Sequence, residues 1–242
     1  MRVLLPEIVA MDLYRHGFIE RDLTSVLLAA LQPGMVFVDV GAHYGYYSLL
    51  ASPLVAPAGR VFAFEPGRQA LTFLERNLAG LPNVRIEPAA VSAAGGRRTL
   101  HDFGRRHSAL ASLRPEARTP ISERAGLRAD LYEVESVSLD DYFQSLGLRP
   151  DVVKIDAESS ELDVLRGMEG ILRGAAPLVT IEVGDYEVRG AEPSSRCVDF
   201  MESVGYVSLE YARGQMVPHR RRARYTYGNL FFRKRPRAGI GR

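Results

Sequence analysis

Two glycines follow a run of apolar residues near the start of the chain. Residues 36–40 are apolar except for Asp39, and Gly41 and Gly45 come directly after them. An apolar run without alternation predicts a strand buried on both faces, as in the middle of a parallel sheet. Glycine lets the backbone turn sharply and approach a ligand where a Cβ would collide. The pattern therefore predicts a strand that ends in a ligand-binding loop, with a helix from residue 46 presenting free N–H groups.

A second predicted strand ends in a carboxylate. This strand covers residues 60–65, and Glu65 lies 20 residues after Gly45. In nucleotide-binding α/β folds, an acidic residue about 20 positions beyond the glycine loop hydrogen-bonds the ribose hydroxyls. The two strand ends therefore predict a site for one nucleoside. The alternative interpretation of Glu65 is a solvated charge before the turn residue Pro66.

The glycine spacing also indicates which nucleoside is bound. The dinucleotide fingerprint is G-x-G-x-x-G, whereas this chain has Gly41-x-x-x-Gly45 with no third glycine and no P-loop lysine. This pattern disfavours a pyrophosphate. Asp39 would repel a phosphate, but it could accept hydrogen bonds from an ammonium group. S-adenosylmethionine offers an ammonium, a ribose and an adenine, and it is the predicted cofactor.

Several further segments carry a family resemblance. The chain is similar to the FkbM family of S-adenosylmethionine-dependent methyltransferases, which more commonly have Asn where His43 stands and Gly where Ser159 stands. The resemblance implies a Rossmann-like class I methyltransferase fold, with a mostly parallel seven-stranded sheet whose last strand is antiparallel. It spans roughly residues 20–185. The segments that carry it are residues 39–48, 64–66, 74–78, 89–92, 95–96, 138–142 and, as the most specific, 153–167.

The strand ends and the resemblance together give a set of candidate site residues. Those expected to bind the cofactor are Asp39, Gly41, Ala42, His43, Tyr44, Gly45, Glu65, Pro66, Ala90 and Asp156.

Three residues are candidate proton acceptors for the acceptor hydroxyl. Asp156 closes a predicted strand, Glu158 follows two residues later, and His43 lies in the glycine loop. The alternative for His43 is packing beside the carboxylate end of the cofactor. Glu182 could instead join Asp156 in holding a divalent metal. Two acids without a fixed spacing do not specify a metal site, so no metal is predicted.

Periodicity indicates an α/β protein with helices on both faces of the sheet. Strands alternate with helices along most of the chain, which implies parallel pairing through right-handed crossovers. The predicted helices cover residues 22–31, 46–52, 69–78, 160–173 and 194–204, and the remaining predicted strands cover residues 83–90, 151–156, 178–183, 206–210 and 227–233.

Residues 97–135 do not follow this alternation. The segment contains eight arginines and shows no sustained apolar period. A long irregular insertion within a compact domain is often a functional loop, and we interpret this one as a cap on the substrate side. A disordered surface loop is the alternative for its centre, residues 115–123.

Composition is typical of one globular enzyme domain. The chain has 242 residues, of which 46% are hydrophobic and 25% charged, and we expect a single domain over residues 1–242. Residues 1–33 form its N-terminal helical segment and residues 234–242 a basic tail. The lone Cys197 excludes an internal disulfide, which favours a reducing cytoplasmic location. No run of 18 apolar residues is present, so no membrane span is predicted.

The sequence thus predicts an O-methyltransferase acting on a hydroxyl or carboxylate of a small metabolite, polyketide or sugar. The alternative is an RNA-binding protein or RNA methyltransferase, because residues 219–237 combine dense positive charge with aromatic residues. A net charge of only +2 argues against nucleic acid as the partner. Ser159 also leaves open a cofactor-binding protein without catalytic activity.

Overall fold

A computed structural model describes residues 1–5, 8–104, 111–113, 126, 128–185 and 192–235. Its helices are α1 (Ile8–His16), α2 (Arg21–Ala30), α3 (Tyr46–Val55), α4 (Arg68–Leu78), α5 (Leu139–Leu146), α6 (Glu161–Arg166), α7 (Glu169–Gly174) and α8 (Ser195–Ser203). Its strands are β1 (Val36–Val40), β2 (Arg60–Phe64), β3 (Val84–Glu87), β4 (Ala89–Val91), β5 (Gly96–Asp102), β6 (Asp130–Val137), β7 (Val152–Ile155), β8 (Leu178–Val183), β9 (Tyr206–Ala212), β10 (Gln215–Pro218) and β11 (Gly228–Lys234).

The main sheet places β1 between two parallel neighbours. Its strand order is β10-β9-β11-β8-β7-β1-β2-β3. The pairs from β8 through β3 are parallel, whereas β11 runs antiparallel to both β8 and β9, and β10 runs antiparallel to β9. The expected α/β sheet with an antiparallel last strand is therefore present. The expectation of seven strands was wrong for the described chain, because β10 folds back on β9 and adds an eighth.

Apolar side chains cover both faces of this sheet. On one face, Phe37 and Val61 pack with α2 and α3; on the other, Val38 and Val153 pack with α5 to α8. All five residues of β1 are buried, as the absence of alternation predicted. The helices consequently lie on both faces, and the carboxyl ends of β1, β2, β7 and β8 meet at one edge.

A second, three-stranded sheet has the order β4-β6-β5. The sequence analysis predicted one strand over residues 83–90, but β3 joins the main sheet and β4 the second. Pro88 separates them, and proline cannot donate to a strand ladder. The ends of the arginine-rich insertion were predicted to be irregular, yet they form the antiparallel pair of β5 and β6. Its centre at residues 115–123 lies outside the described residues, as do five of its eight arginines.

The remaining expectations concern helices and the chain ends. The helix predicted over residues 160–173 is split into α6 and α7, because Gly167 lies against Ser92, where a Cβ would come within 2.1 Å of the Ser92 carbonyl oxygen. The helix predicted over residues 22–31 is α2. Residues 236–242 of the basic tail lie outside the described residues. Across the described segments, no helix combines the length and apolar character needed to cross a membrane.

Candidate cofactor and acceptor site

The loop after β1 is packed against two other strand ends. Gly41 has φ +71°, and a Cβ added there would lie 1.8 Å from the carbonyl oxygen of Asp156, which follows β7. The backbone N–H groups of Gly41 and Ala42 both donate to the carbonyl oxygen of Phe64, at 3.0 Å. Only glycine therefore permits the loop to reach β2 and β7 together.

Gly45 starts helix α3 from a left-handed conformation. Its φ is +84°, and no side chain caps the helix. The first N–H groups of a helix lack intrahelical partners, so this end is available to a carboxylate. Tyr44 is 2% exposed and its ring stacks on His43, with the centroids 3.8 Å apart. The buried Tyr44 ring therefore supports His43 in the glycine loop through this stacking contact.

Glu65 lies at the end of β2 with its carboxylate held by the backbone. Its Oε2 accepts from the N–H of His43 at 2.8 Å, and its Oε1 accepts from the N–H of Gly67 at 2.7 Å. Each carboxylate oxygen has a second lone pair that can accept from a hydroxyl. Burial is the main cause that raises the pKa of Glu65 to about 7.

Asp39 is paired inside the protein. It is fully buried on β1, where its Oδ1 lies 3.1 Å from Nζ of Lys154 and its Oδ2 accepts from the Ser48 hydroxyl at 2.7 Å. The sequence analysis expected this carboxylate to meet an ammonium of the ligand, and in the fold it meets the ammonium of Lys154. A direct contact of Asp39 with the cofactor remains a prediction.

Lys154 joins the glycine loop to the acidic end of β7. Its Nζ donates to the Gly41 carbonyl oxygen at 2.9 Å and lies 3.4 Å from Oδ2 of Asp156. Burial lowers the pKa of this ammonium, but the charges of Asp39 and Asp156 outweigh burial and raise it, so the lysine is cationic. Lys154 is not among the site residues that the sequence analysis predicted. The sequence feature that could have identified Lys154 is an ionisable residue inside an otherwise apolar strand.

Three carboxylates converge beyond the ends of β7 and β8. One oxygen each of Asp156, Glu158 and Glu182 lies within 4.8 Å of the others. Burial, followed by the charge of Asp156, raises the pKa of both Glu158 and Glu182 well above the usual value. These oxygens could hold a divalent cation, because hard cations take carboxylate ligands. They could equally share a proton, because neighbouring negative charges at this separation disfavour the ionisation of all three carboxyl groups.

His43 is a weaker base than its residue type indicates. Its φ is +49°, and burial is the main cause that lowers the pKa of its imidazole to about 4. The ring is neutral at pH 7 and would hold an abstracted proton poorly. Packing beside the cofactor, the alternative interpretation of His43, stays a prediction.

Two predicted cofactor residues lie at the borders of the site. Pro66 is half-buried directly after Glu65. Ala90 is 4% exposed on β4 and packs with Leu100 and Val134 in the second sheet. Their cofactor contacts stay predictions.

Residues near the two chain ends complete the site and were missed by sequence reasoning. Glu20, just before α2, accepts from the hydroxyl of Tyr47 at 2.8 Å and from the side-chain amide of Asn229 on β11. Tyr227 has a hydrogen bond with Glu182, and burial together with the charge of Glu182 raises its pKa. No motif marked these residues, because they meet only through the order of strands in the sheet.

A cavity of about 200 Å³ opens beside the carboxylate cluster. It is lined by Glu158 and Glu182 near the strand ends, by Glu161 at the start of α6, by Cys197 of α8 and by Arg224. Its walls lie on the β7–β8 side, away from Gly41 and Glu65. The glycine loop and Glu65 thus form one region of the site, and the acidic cavity forms a second region next to it.

The donor set fits S-adenosylmethionine. Glu65 offers carboxylate oxygens at a strand end for a ribose diol, and the uncapped start of α3 suits the carboxylate of an amino acid. The cluster of Asp156 and its acidic neighbours suits the positive charges of the ammonium and sulfonium groups. Nothing in the glycine loop of the described chain forms a pyrophosphate site.

Comparisons with known proteins agree with this chemistry. A family model described as the methyltransferase FkbM domain matches residues 39–208. The chain is 28% identical over 166 residues to methyltransferase sdnD of Sordaria araneosa, covering 59% of this chain and 63% of that protein. It is 26% identical over 166 residues to hexuronic acid methyltransferase AglP of Haloferax volcanii, covering 68% of this chain and 62% of that protein.

A further relative and two solved structures extend the comparison. Over 183 residues the chain is 29% identical to AMB antimetabolite synthetase AmbE of Pseudomonas aeruginosa, covering 64% of this chain and 9% of that protein. The chain thus spans less than two thirds of each of these three relatives. Methyltransferase FkbM from Methylobacillus flagellatus has a TM-score of 0.50 at 14% identity, covering 93% of this chain and 52% of that one. An rRNA-methylase-like structure from Clostridium thermocellum has a TM-score of 0.53 at 12% identity, covering 88% and 96%. At these identities the two structures share the fold alone.

Proposed function

The chain belongs to the methyltransferase FkbM family, whose members use S-adenosylmethionine, and on this premise we propose that it is an O-methyltransferase. Its acceptor is a hydroxyl or carboxylate of a small metabolite, polyketide or sugar. The observation that carries the proposal is the adjacency of Glu65, the glycine loop and the cluster of Asp156, Glu158 and Glu182 along one sheet edge.

The residues of the loop region would hold the cofactor. Glu65 would accept from the ribose hydroxyls, while the start of α3 would receive the amino-acid carboxylate. Lys154 fixes the Gly41 carbonyl and Asp156, so that the loop and the acidic cluster keep one relative position. When bound, S-adenosylmethionine supplies an electrophilic methyl group. Much of the rate of methyl transfer can come from aligning the acceptor oxygen with that group.

Glu158 or Asp156 would take the proton of an acceptor hydroxyl. The O–H bond breaks as the oxygen gains the methyl group, and the proton passes to a carboxylate oxygen. A general base works best when its pKa is near the working pH, and burial raises the pKa of Glu158 in that direction. Of these two, Glu158 is therefore the favoured base.

The charge of the cavity favours a hydroxyl over an ionised carboxylate as acceptor. Glu158 and Glu182 line it, and Asp156 lies within 4.8 Å of both. An anionic acceptor group would be repelled by these neighbours. A neutral hydroxyl meets no such repulsion and can donate its proton to one of them.

Two measurements test the proposal. Calorimetry with S-adenosylmethionine and its demethylated product should show binding by the pure protein. Radiolabelled methyl donor, incubated with extracts of the native host, should yield a labelled small product whose methyl group survives alkali, as an ether does and an ester does not. Absence of both binding and transfer would remove the proposal, and an alkali-labile product would assign a carboxylate acceptor.

Glu65 gives a sharper version of the binding test. Glu65→Ala should weaken cofactor affinity roughly 10- to 100-fold, because hydrogen bonds to a charged group contribute about 1.5–3 kcal/mol. Glu75→Ala, an exposed glutamate on α4, is the matched control and should leave the affinity unchanged. Equal affinities for the two variants would show that the Glu65 carboxylate does not contact the cofactor.

A further inference from the structure

The turn between β7 and α6 has an unusual backbone. Glu158 has φ +45° and Ser159 has φ +74°, and neither is glycine. Left-handed conformations are disfavoured for residues with a Cβ, and two in succession need support from the surroundings. Because Glu158 is one of the three clustered carboxylates, the conformation of this turn decides where its side chain lies.

Glu161 supplies that support from the first position of α6. Its Oε1 accepts from the backbone N–H of Ala157 and from that of Ser159, both at 3.1 Å. These two amides flank Glu158. On the other side of the turn, the Ser112 hydroxyl donates to the Glu158 carbonyl oxygen at 2.6 Å.

The usual way to begin a helix is absent at this point. Ser160 occupies the N-cap position of α6, but its side chain caps no N–H group of the helix. Besides its own backbone N–H, the Glu161 carboxylate bonds to two amides that precede the helix. These two bonds therefore serve the turn that carries Glu158.

We propose, resting on the methyltransferase function above, that Glu161 is a positioning residue that holds Glu158 in the carboxylate cluster by bracing the left-handed turn. It acts through backbone amides rather than by contacting the acceptor. A glycine at position 159 adopts positive φ without a Cβ penalty, so it would make the brace less necessary. If Glu161 supports the turn, the effect of removing it should depend on the residue at position 159. A direct role of Glu161 in the reaction predicts no such dependence.

The experiment compares five variants for methyl transfer to the acceptor found by the extract screen. Glu161→Ala should lower kcat about 100-fold while changing the KM for S-adenosylmethionine less than threefold. Glu161→Gln keeps an oxygen acceptor and should stay within about fivefold of the parent. Ser159→Gly combined with Glu161→Ala should recover kcat to within about fivefold of Ser159→Gly alone. Glu169→Ala, at the first residue of α7, controls for loss of a helix-start glutamate.

Two outcomes would overturn the proposal. A loss in Glu161→Gln as large as in Glu161→Ala would assign the effect to the charge of Glu161. Circular dichroism would first confirm that the single and double variants are folded. If Ser159→Gly then fails to restore the kcat of Glu161→Ala, Glu161 does not act through the conformation of the turn.

A readout without acceptor keeps the inference separate from the proposed function. Hydrogen exchange followed by NMR should show the Ala157 and Ser159 amides exchanging at least tenfold faster in Glu161→Ala, and within threefold of the parent in Glu161→Gln. Unchanged exchange in Glu161→Ala contradicts the brace whether or not methyl transfer is found. Absence of methyl transfer by the parent protein would contradict the proposed function, but it would leave the inference about Glu161 in place.

Discussion

Lys154 determines the charge balance of the site at the scale of single residues. It is 3% exposed, as is required of a side chain that reaches both Asp39 and Asp156 from the middle of the sheet. An ammonium buried this deeply is tolerated only because carboxylates and backbone carbonyls surround it. Removing it leaves Asp39 as a buried and unpaired charge.

Lys154→Met should therefore lower the free energy of unfolding by about 3–5 kcal/mol, since breaking a buried pair leaves one charge uncompensated. Adding Asp39→Asn to Lys154→Met removes the second charge and should restore a large part of that loss. Urea unfolding of the single and double variants measures both values. A double variant less stable than Lys154→Met would show that the ion pair is not what Lys154 contributes.

Glu65 makes stability depend on pH. Its pKa is about 7 in the folded chain and 4.5 as the ordinary value, so the folded state holds the proton more tightly. Stability from this group is complete below pH 4.5 and is lost as the pH rises towards 7. The shift corresponds to roughly 3 kcal/mol at about 1.4 kcal/mol per pKa unit.

Glu65→Gln cannot ionise and should escape this loss. Relative to the parent, its free energy of unfolding should rise by up to about 3 kcal/mol between pH 4.5 and pH 7.5, as measured by urea unfolding without cofactor. A constant difference between the two proteins across this range would show that Glu65 titrates normally.

At the scale of elements, the contact between the β1 loop and the end of β7 depends on Gly41. Gly41→Ala should abolish detectable cofactor binding, because the new Cβ would collide with the Asp156 carbonyl oxygen and displace the loop. Gly80→Ala is the matched control: Gly80 has φ +82° and nothing within 4 Å of an added Cβ. It should lose only about 1 kcal/mol of stability from its positive φ and bind normally. Equal binding by both variants in calorimetry would refute the close contact.

The sequence predicted those elements whose signal is local. Strands β1, β2, β7 and β8 are mostly apolar without a regular alternation, and their ends place Glu65, Asp156 and Glu158 at one edge, as expected. The break at Gly167 depends on its contact with Ser92, which is distant in sequence, whereas Pro88 is a local signal that the sequence analysis did not use. Strands β5 and β6 pair across the insertion, and no period in either segment encodes that pairing.

The residues of the candidate site show the same difference between local and long-range signals. Glu65 and the glycines stand in motifs with a fixed spacing, whereas Glu20, Asn229 and Tyr227 join the site only through the sheet order. The pKa of His43 is likewise set by burial, which its residue type does not reveal.

At the scale of the whole molecule, part of the basic C-terminal run is engaged within the fold. Arg221 pairs with Asp199, Arg222 donates to both oxygens of Glu210, and Lys234 donates to the carbonyl oxygens of Leu172 and Val204. A nucleic-acid surface needs cations that face solvent. Three of the cations that suggested RNA are thus engaged by the protein itself, whereas Arg220, Arg224, Arg233 and Arg235 are exposed.

We therefore expect no RNA binding at physiological salt. A gel-shift assay with structured RNA in about 0.15 M salt should show no complex, because a net charge of only +2 attracts phosphates weakly and salt screens that attraction. A complex that weakens steeply with salt and is lost in a chain shortened to residue 235 would instead support the RNA alternative.

The bond between Glu20 and Asn229 joins residues 209 positions apart in the chain. A chain emerging from a ribosome therefore carries Glu20, Tyr47 and Lys154 long before β11 exists to cover them. Until that last strand inserts between β8 and β9, the acidic edge lacks one of its walls. Competence to hold the methyl donor should arise only after β11 has been made, and a synthesis arrested before residue 228 should yield a product that does not bind it.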